Sequence, residues 1–127
     1  RRHFMDDRRK DIRRKLASYD VQKKQLKKLQ KAAEKGQSDK ETLMQIEYIE
    51  SYLREADEMI AKFEELCGKT ARKYIVDIFV KHTKIEDIAQ KNGVSKRKVE
   101  AYLTFWINCY LEDRKPAAKE TPWSTQK

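Results

Sequence analysis

Residues 85–103 read IEDIAQKNGVSKRKVEAYL, and their pattern decides the fold. An apolar-periodic segment begins at Ile85 and stops at Gly93, and a second one begins at Ser95. Ala89 is small enough to let two helices cross closely, and Gly93 can adopt the left-handed backbone conformation that a tight turn needs. This spacing predicts two helices joined by a turn of about three residues, the layout of a helix-turn-helix.

The residues after the turn are predicted to complete a small apolar core and to start a helix. Val94 would enter the core from the turn, and Val99 would join Ile88 on the core side. Ser95 carries a hydroxyl that can accept a hydrogen bond from a backbone N–H of the first turn and so cap a helix. The sequence therefore predicts a helix from Ser95 to about Asp113.

A third helix is predicted just before this pair, over residues 71–81. Thr70 can cap its amino end, because threonine is a favoured residue at that position. Three of its apolar side chains recur at helical spacing and are expected to turn inward: Ile75, Ile78 and Phe79. Together the three helices form a predicted trihelical helix-turn-helix domain over residues 69–115.

The amino-terminal part of the chain predicts one long basic helix. Residues 6–35 contain neither glycine nor proline, and a helix of that length would extend for roughly 45 Å. Gly36 is suited to end it in a left-handed conformation. Ser38 is followed three residues later by Glu41, a capping box that predicts the start of a new helix.

The helix that follows has the most regular pattern in the chain. Its flanks are acidic, whereas the first helix is basic, so the two are expected to pack antiparallel with opposite charges along their edges. Packing within the chain is favoured over homodimerisation because the connection is short. Apolar residues alternate at spacings of three and four and end just before Gly68, as in a coiled-coil seam: Ile46, Ile49, Leu53, Ala56, Ile60, Phe63 and Cys67.

The predicted fold class is therefore all-α, with a long antiparallel helical hairpin (coiled coil) followed by the trihelical domain. The hairpin covers residues 1–68, and residues 116–127 form an extended tail. Trp123 in that tail has two possible roles, since it either makes no contact or docks into an apolar slot. The chain begins at Arg1 without a methionine, which suggests a segment of a longer protein.

Charge is distributed in blocks rather than evenly. The net charge is +9, with 15 basic and 6 acidic residues in positions 1–40, 2 and 8 in positions 41–68, and 11 and 6 in positions 69–115. A basic balance fits binding to nucleic acid or to another anionic surface. The basic run at residues 8–15 could hold DNA phosphates, meet an acidic partner or simply be solvated, and the sequence leaves these three open.

Several classes of function lack support in the sequence. Cys67 and Cys109 have no metal-ligand spacing and are expected to be free thiols in a reducing compartment, which indicates an intracellular protein. A location in the nucleoid or nucleus is expected if the chain binds DNA. No apolar run is long enough for a membrane helix. His3 and His82 have no catalytic partners that the sequence can place beside them. We therefore expect no enzyme activity, cofactor, metal or small-molecule substrate.

The stretch resembles the helix-turn-helix of sigma-factor region 4 and of small regulators built like it, including phage late-gene activators, within the wider homeodomain-like group. The matching elements are Ile85-Glu86-Asp87-Ile88-Ala89, then Val94-Ser95, then Arg97 and Val99. The resemblance implies that the helix starting at Ser95 enters a major groove of double-stranded DNA. The residues expected to face DNA are Ser95, Lys96, Arg97, Lys98, Glu100, Ala101 and Thr104.

The last helix also predicts a protein partner. Its second half is apolar on nearly every face, and such a helix must be buried. Either the helical hairpin or another protein, such as polymerase or enzyme subunits, could cover it. The residues predicted to bind a partner are Ile46, Ile49, Leu53, Ile60, Phe63, Phe105, Ile107 and Leu111.

Two functions and one rival follow from these observations. A non-catalytic DNA-binding protein could be a transcription regulator that touches a promoter and the polymerase. It could equally be the DNA-binding accessory subunit of a nucleic-acid-modifying complex. The rival is a protein-interaction scaffold that keeps the fold and does not bind DNA.

Overall fold

The computed structural model describes residues 2–36 and 39–116, with side chains from Asp6 onward, and these residues form helices and turns without a β-strand. The predicted all-α class is confirmed. No helix in these ranges combines the length and apolarity that a bilayer crossing requires. The predicted cap Ser38 and the tail with Trp123 lie outside the described residues, and so does the His3 side chain. The helices are α1 (Arg2–Ala17), α2 (Tyr19–Glu34), α3 (Lys40–Cys67), α4 (Lys69–Ile75), α5 (Ile85–Asn92) and α6 (Lys96–Glu112), with a π-helical turn (Val76–Val80) after α4.

The first predicted helix is divided in two at Ser18, which corrects the expectation of one continuous helix. The Ser18 hydroxyl donates a hydrogen bond to the Arg14 carbonyl at 3.1 Å, a back-bond that bends helices. His82 approaches the same break, with its Nε2 3.1 Å from the Ala17 carbonyl oxygen. On the two sides of this break, α1 packs on the π-helical turn and α2 packs on α3.

The connection between α2 and α3 uses residues suited to helix ends. Gly36 has a φ of 97°, in the left-handed region that was predicted for it. The N-cap of α3 is Asp39, whose carboxylate accepts a hydrogen bond from the Thr42 N–H at 2.8 Å. Hydrogen bonding to Thr42 lowers the pKa of the Asp39 carboxyl because it favours the charged form.

The apolar seam of α3 faces inward, but few of the predicted charge pairs form. Ile49, Ala56, Ile60, Phe63 and Cys67 are buried, and Ile46 and Leu53 are half-buried. Among the described residues, Lys15 and Glu55 form the one ion pair that joins α1 or α2 to α3. Tyr19 adds a hydrogen bond by donating its hydroxyl to Asp57 at 2.7 Å. Apolar packing, rather than charge pairing, therefore joins these helices.

Two features of the α4 region differ from the prediction. The helix begins at Lys69, directly after Gly68 with a φ of 97°, and no side chain caps it, so Thr70 is not its N-cap. The helix then widens into the π-helical turn, where the Lys81 N–H donates to the Val76 carbonyl at 2.9 Å. The predicted inward side chains are confirmed, since Ile75 and Ile78 are buried and Phe79 is half-buried.

The turn between α5 and α6 follows the predicted local geometry. Gly93 adopts a left-handed conformation, with φ 67° and ψ 30°. The Ser95 hydroxyl accepts a hydrogen bond from the Lys98 N–H at 3.1 Å and so caps α6. Ala89 and Val99 are buried, and Val94 is packed against the core from the turn.

One apolar core joins α1 and α3 to the helices after Gly68. Trp106 has no exposed surface and forms a T-shaped contact with the Tyr74 ring, with 5.3 Å between ring centroids. Farther along α6, Tyr110 stacks on Phe63 of α3 at 4.6 Å. The apolar half of α6 is therefore covered by helices of its own chain, one of the two possibilities that its composition left open.

Both cysteines are buried in this core, and among the described residues neither forms a disulfide bond. Burial raises the pKa of the Cys67 thiol to about 12, and the neighbouring Cys109 thiol adds to the shift. Because only the thiolate is a strong nucleophile, Cys67 is a weakly reactive packing residue at neutral pH.

The Ser95 cap gives a first testable prediction. Ser95→Ala is expected to lower the free energy of unfolding by about 1 kcal/mol, because the first turn of α6 loses a side-chain acceptor. Urea denaturation followed by circular dichroism would measure the change. Thr104→Ala, which truncates an exposed residue in the middle of α6, is the matched control. Equal stability of the Ser95 variant and the parent would contradict a stabilising role for the cap.

Candidate nucleic-acid interface

The residues predicted to face DNA lie on one side of α6. Helical periodicity places Val99, Leu103 and Trp106 in the core, so the opposite side of the helix faces solvent. The exposed side begins at the capped amino end and continues for about three turns. Lys98 is half-buried, and the remaining predicted residues are exposed: Ser95, Lys96, Arg97, Glu100, Ala101 and Thr104.

The cations at the start of α6 differ in their surroundings. Lys96 pairs with Glu86 of α5, with 2.9 Å between Nζ and Oε1. The hydrogen bond and opposite charge hold the pKa of Glu86 below its usual range and raise the pKa of Lys96. Within the described residues, the Arg97 and Lys98 side chains form no ion pair. Because the Lys96 pair is well exposed, it is weak, and Lys96 can exchange its carboxylate for another anion.

Helix α1 lies beside this exposed side of α6, a juxtaposition that the sequence did not predict. The Arg9 guanidinium donates from Nε and Nη2 to the Asn108 Oδ1, at 3.0 and 2.8 Å. One turn farther along α1, Arg13 lines a cleft together with Glu100 and Thr104. The only sequence signal was the spacing of Ile12 with Leu16, which predicts a buried stripe on α1 but does not identify its neighbour.

The residues predicted to bind a protein partner are mostly covered by the chain itself. Four of these eight residues are buried. Three of the buried ones, Ile60, Phe63 and Ile107, belong to the core that α1 and α3 share with the later helices. The other four are half-buried, so none of the eight is exposed. The buried residues are Ile49, Ile60, Phe63 and Ile107, and the half-buried ones are Ile46, Leu53, Phe105 and Leu111.

Exposed apolar surface occurs instead on α2 and the first half of α3. Among the described residues, the large exposed hydrophobic side chains are Val21 (66% exposed), Leu43 (51%), Met44 (59%) and Tyr48 (67%). Met44 and Tyr48 line a groove between the two helices, with the buried Ile49 also lining it. These residues were not predicted to bind a partner because they lie off the apolar seam of α3, although apolar side chains among charged neighbours were a signal.

The described residues contain no group of three or more His, Cys, Asp and Glu side chains that could hold a metal ion. His82 has a φ of 61° at the end of the π-helical turn, and its ring contacts the Ala17 carbonyl. His82 therefore has a structural role, since it connects the end of the π-helical turn to the end of α1.

Comparisons with known protein families, curated proteins and solved structures found no match to this chain. Its function is therefore inferred from the geometry of its own residues. The strongest feature for that purpose is the solvent-facing side of α6, together with the basic helix beside it.

Proposed function

We propose that this chain is a non-catalytic DNA-binding protein in which α5, its turn and α6 act as a helix-turn-helix. The exposed side of α6 carries the proposal, because six of the seven predicted contact residues are exposed there or at the N-cap. The major groove of B-DNA is about 12 Å wide and admits an α-helix. Ala101 and Thr104 are small enough to let base edges approach, and Arg97 can reach a guanine or a phosphate.

The cations at the amino end of α6 suit duplex contact for electrostatic reasons. Arg97 presents a planar fork of N–H donors that matches phosphate oxygens, and Lys96 and Lys98 add two further positive charges. The first backbone N–H groups of α6 also favour an anion at this end. Phosphate contacts of this kind position a protein on DNA, and the side chains that reach base edges determine sequence preference.

The remaining helices suit attachment to another protein. In this proposal α2 and α3 form a helical hairpin, and their exposed apolar groove with Met44 and Tyr48 is the docking surface. The chain would then work as a transcription regulator, as the resemblance to sigma-factor region 4 implies, or as a DNA-binding accessory subunit. Both roles require the same two surfaces.

A second candidate function is a protein-interaction scaffold that does not bind DNA. The exposed apolar groove between α2 and α3 favours it, since contiguous exposed apolar surface usually marks a binding site. Glu100 on the solvent-facing side of α6 is also more easily tolerated if no phosphate approaches. The two candidates differ in whether the isolated chain binds duplex DNA.

Duplex binding tests the proposal directly. Fluorescence anisotropy with a labelled random-sequence duplex should show an affinity that falls steeply with salt, by a slope of about −3 or steeper on logarithmic axes. Unlabelled duplex should compete better than polyphosphate at equal phosphate concentration, because polyphosphate has no groove for α6. Absence of duplex binding at low salt would favour the scaffold, and equal competition by polyphosphate would contradict groove binding.

A further inference from the structure

We infer that α1 is a second DNA-contacting element, whose side chains Lys10, Arg13 and Arg14 bind phosphates beside the groove that α6 enters. This inference rests on the proposed function and extends it to an element outside the helix-turn-helix. The sequence alone left the basic run at residues 8–15 open between DNA, an acidic partner and solvent. Its position in the fold distinguishes these possibilities.

Helix α1 is held firmly against the rest of the fold. Leu16 has no exposed surface and Ile12 is almost fully buried, so one side of α1 is part of the shared core. Arg9 makes two hydrogen bonds to the Asn108 side chain, and Asn108 is a residue of α6. The Tyr52 hydroxyl of α3 donates to the Lys15 carbonyl at 3.0 Å. The orientation of α1 relative to α6 is therefore fixed before any ligand binds.

Helix α1 also presents cations to solvent, and one of them lies beside the solvent-facing side of α6. Arg13 is exposed and lines the cleft with Thr104, one of the residues predicted to face DNA. Lys10 and Arg14 are exposed as well. Lys10 lies three residues before Arg13 and four before Arg14, so it neighbours both on the surface of α1, whereas Arg13 and Arg14 are consecutive and point about 100° apart. The three cations form a positive strip across the exposed surface of α1, in which Arg13 is the member that lines the cleft beside α6.

Nearby carboxylates reduce this positive strip only in part. Arg14 lies 3.8 Å from Asp11, and both side chains are more than two-thirds exposed, so this pair is weak. Asp6 pairs with Arg9, which is already bonded to Asn108. Glu100 of α6 lines the same cleft as Arg13 and brings a negative charge to it.

The strip on α1 is suited to bind the phosphates of a DNA duplex. A helix lying in the major groove has a phosphate backbone on each side, so a basic helix fixed beside it meets phosphates rather than base edges. Arginine is well suited to phosphate oxygens because its N–H donors form a planar fork. An acidic protein is the less suitable ligand, because the exposed apolar residues that would accompany protein docking lie on α2 and α3.

The experiment compares two variants that lose equal charge. Lys10→Ala/Arg13→Ala/Arg14→Ala removes three cations from α1. Lys24→Ala/Lys28→Ala/Lys31→Ala removes three exposed cations from α2, none of which forms an ion pair among the described residues. Anisotropy with a random duplex of about 20 base pairs, between about 50 and 200 mM salt, gives affinity and salt slope for each. Circular dichroism verifies that each variant is folded.

The α1 variant is expected to bind roughly tenfold more weakly than the parent, with a salt slope smaller in magnitude by about 0.9 for each phosphate that it no longer neutralises. The α2 variant should bind within about threefold of the parent, since its charge loss acts only through the long-range field. The double variant Lys10→Gln/Arg14→Gln keeps Arg13 in its cleft, so it should show a smaller loss of affinity and a smaller reduction of the salt slope. It replaces the triple variant if the triple variant unfolds.

The outcomes separate this inference from the function on which it rests. If the parent does not bind duplex at all, the proposed function fails and α1 has no DNA role. If the parent binds and the α1 variant matches the α2 variant in affinity and slope, α1 is a solvated surface and only this inference is overturned. A larger loss of affinity for the α1 variant, with a reduced slope, supports phosphate binding by α1.

Discussion

Trp106→Ala is expected to lower the free energy of unfolding by about 3–5 kcal/mol, a larger change than the one expected for the Ser95 cap. Trp106 has no exposed surface, and its ring contacts the rings of Tyr74 and Tyr102 at centroid distances of 5.3 and 5.7 Å. Removing the indole leaves a cavity that rigid neighbouring helices can fill only in part. Single domains have a net stability of about 5–15 kcal/mol, so the variant would lose a large share of its own.

Urea denaturation followed by far-ultraviolet circular dichroism would measure this loss, because the substitution removes one of the tryptophan fluorophores. Trp106→Phe keeps an aromatic ring at the site and should lose clearly less than Trp106→Ala. A loss of less than about 1 kcal/mol for Trp106→Ala would contradict the tight packing of this core. Two separate transitions in the parent protein would contradict a core shared between α1, α3 and α6.

Local features of the chain were predictable because each depends on neighbours in the sequence. Gly93 and Gly36 end helices in left-handed conformations, and Ser95 caps α6, since backbone conformation and capping involve only a few adjacent residues. The α3 seam faces inward because helical spacing alone decides which residues share a side. Six of the seven residues expected to face DNA at the start of α6 are exposed, whereas Lys98 is half-buried.

The features that were wrong or missed depend on tertiary contacts. Ser18 divides the first predicted helix while α1 and α2 pack on different parts of the fold, and serine within a helical pattern does not by itself predict a break. The π-helical turn after Ile75 has no local sequence signal. The hydrogen bonds between Arg9 and Asn108 join residues far apart in the chain, so helical periodicity could not predict them.

In our proposal the first half of α6 must stay exposed to bind DNA, whereas its apolar second half must be buried. Helix α1 contributes to both. Ile12 and Leu16 place α1 in the core that also buries the apolar half of α6. The opposite sides of the same turns carry Lys10 and Arg14 into solvent. A helix that was expected to belong to a separate hairpin therefore contributes to the core around Trp106 and, in our proposal, to the DNA-facing surface.

Lys96→Ala/Arg97→Ala/Lys98→Ala is expected to weaken duplex binding by roughly 10–100-fold at moderate salt, because the amino end of α6 loses all three of its cations. The magnitude of the salt slope should fall by about 2–3, since each neutralised phosphate contributes about 0.9. The Ser95 cap remains, and alanine favours helix, so α6 should keep its start. A weaker affinity then reports the missing cations rather than unfolding.

The α2 variant Lys24→Ala/Lys28→Ala/Lys31→Ala is the matched control, because it removes the same charge from exposed positions on another helix. Anisotropy titrations of parent, variant and control against one random duplex, at several salt concentrations, give the affinities and slopes. If the α6 variant binds as tightly as the α2 control at every salt concentration, α6 is not the recognition helix. A weakening confined to the α6 variant would instead mean that DNA binding depends on where the positive charge lies, as expected for a helix seated in a groove and not for a generally basic surface.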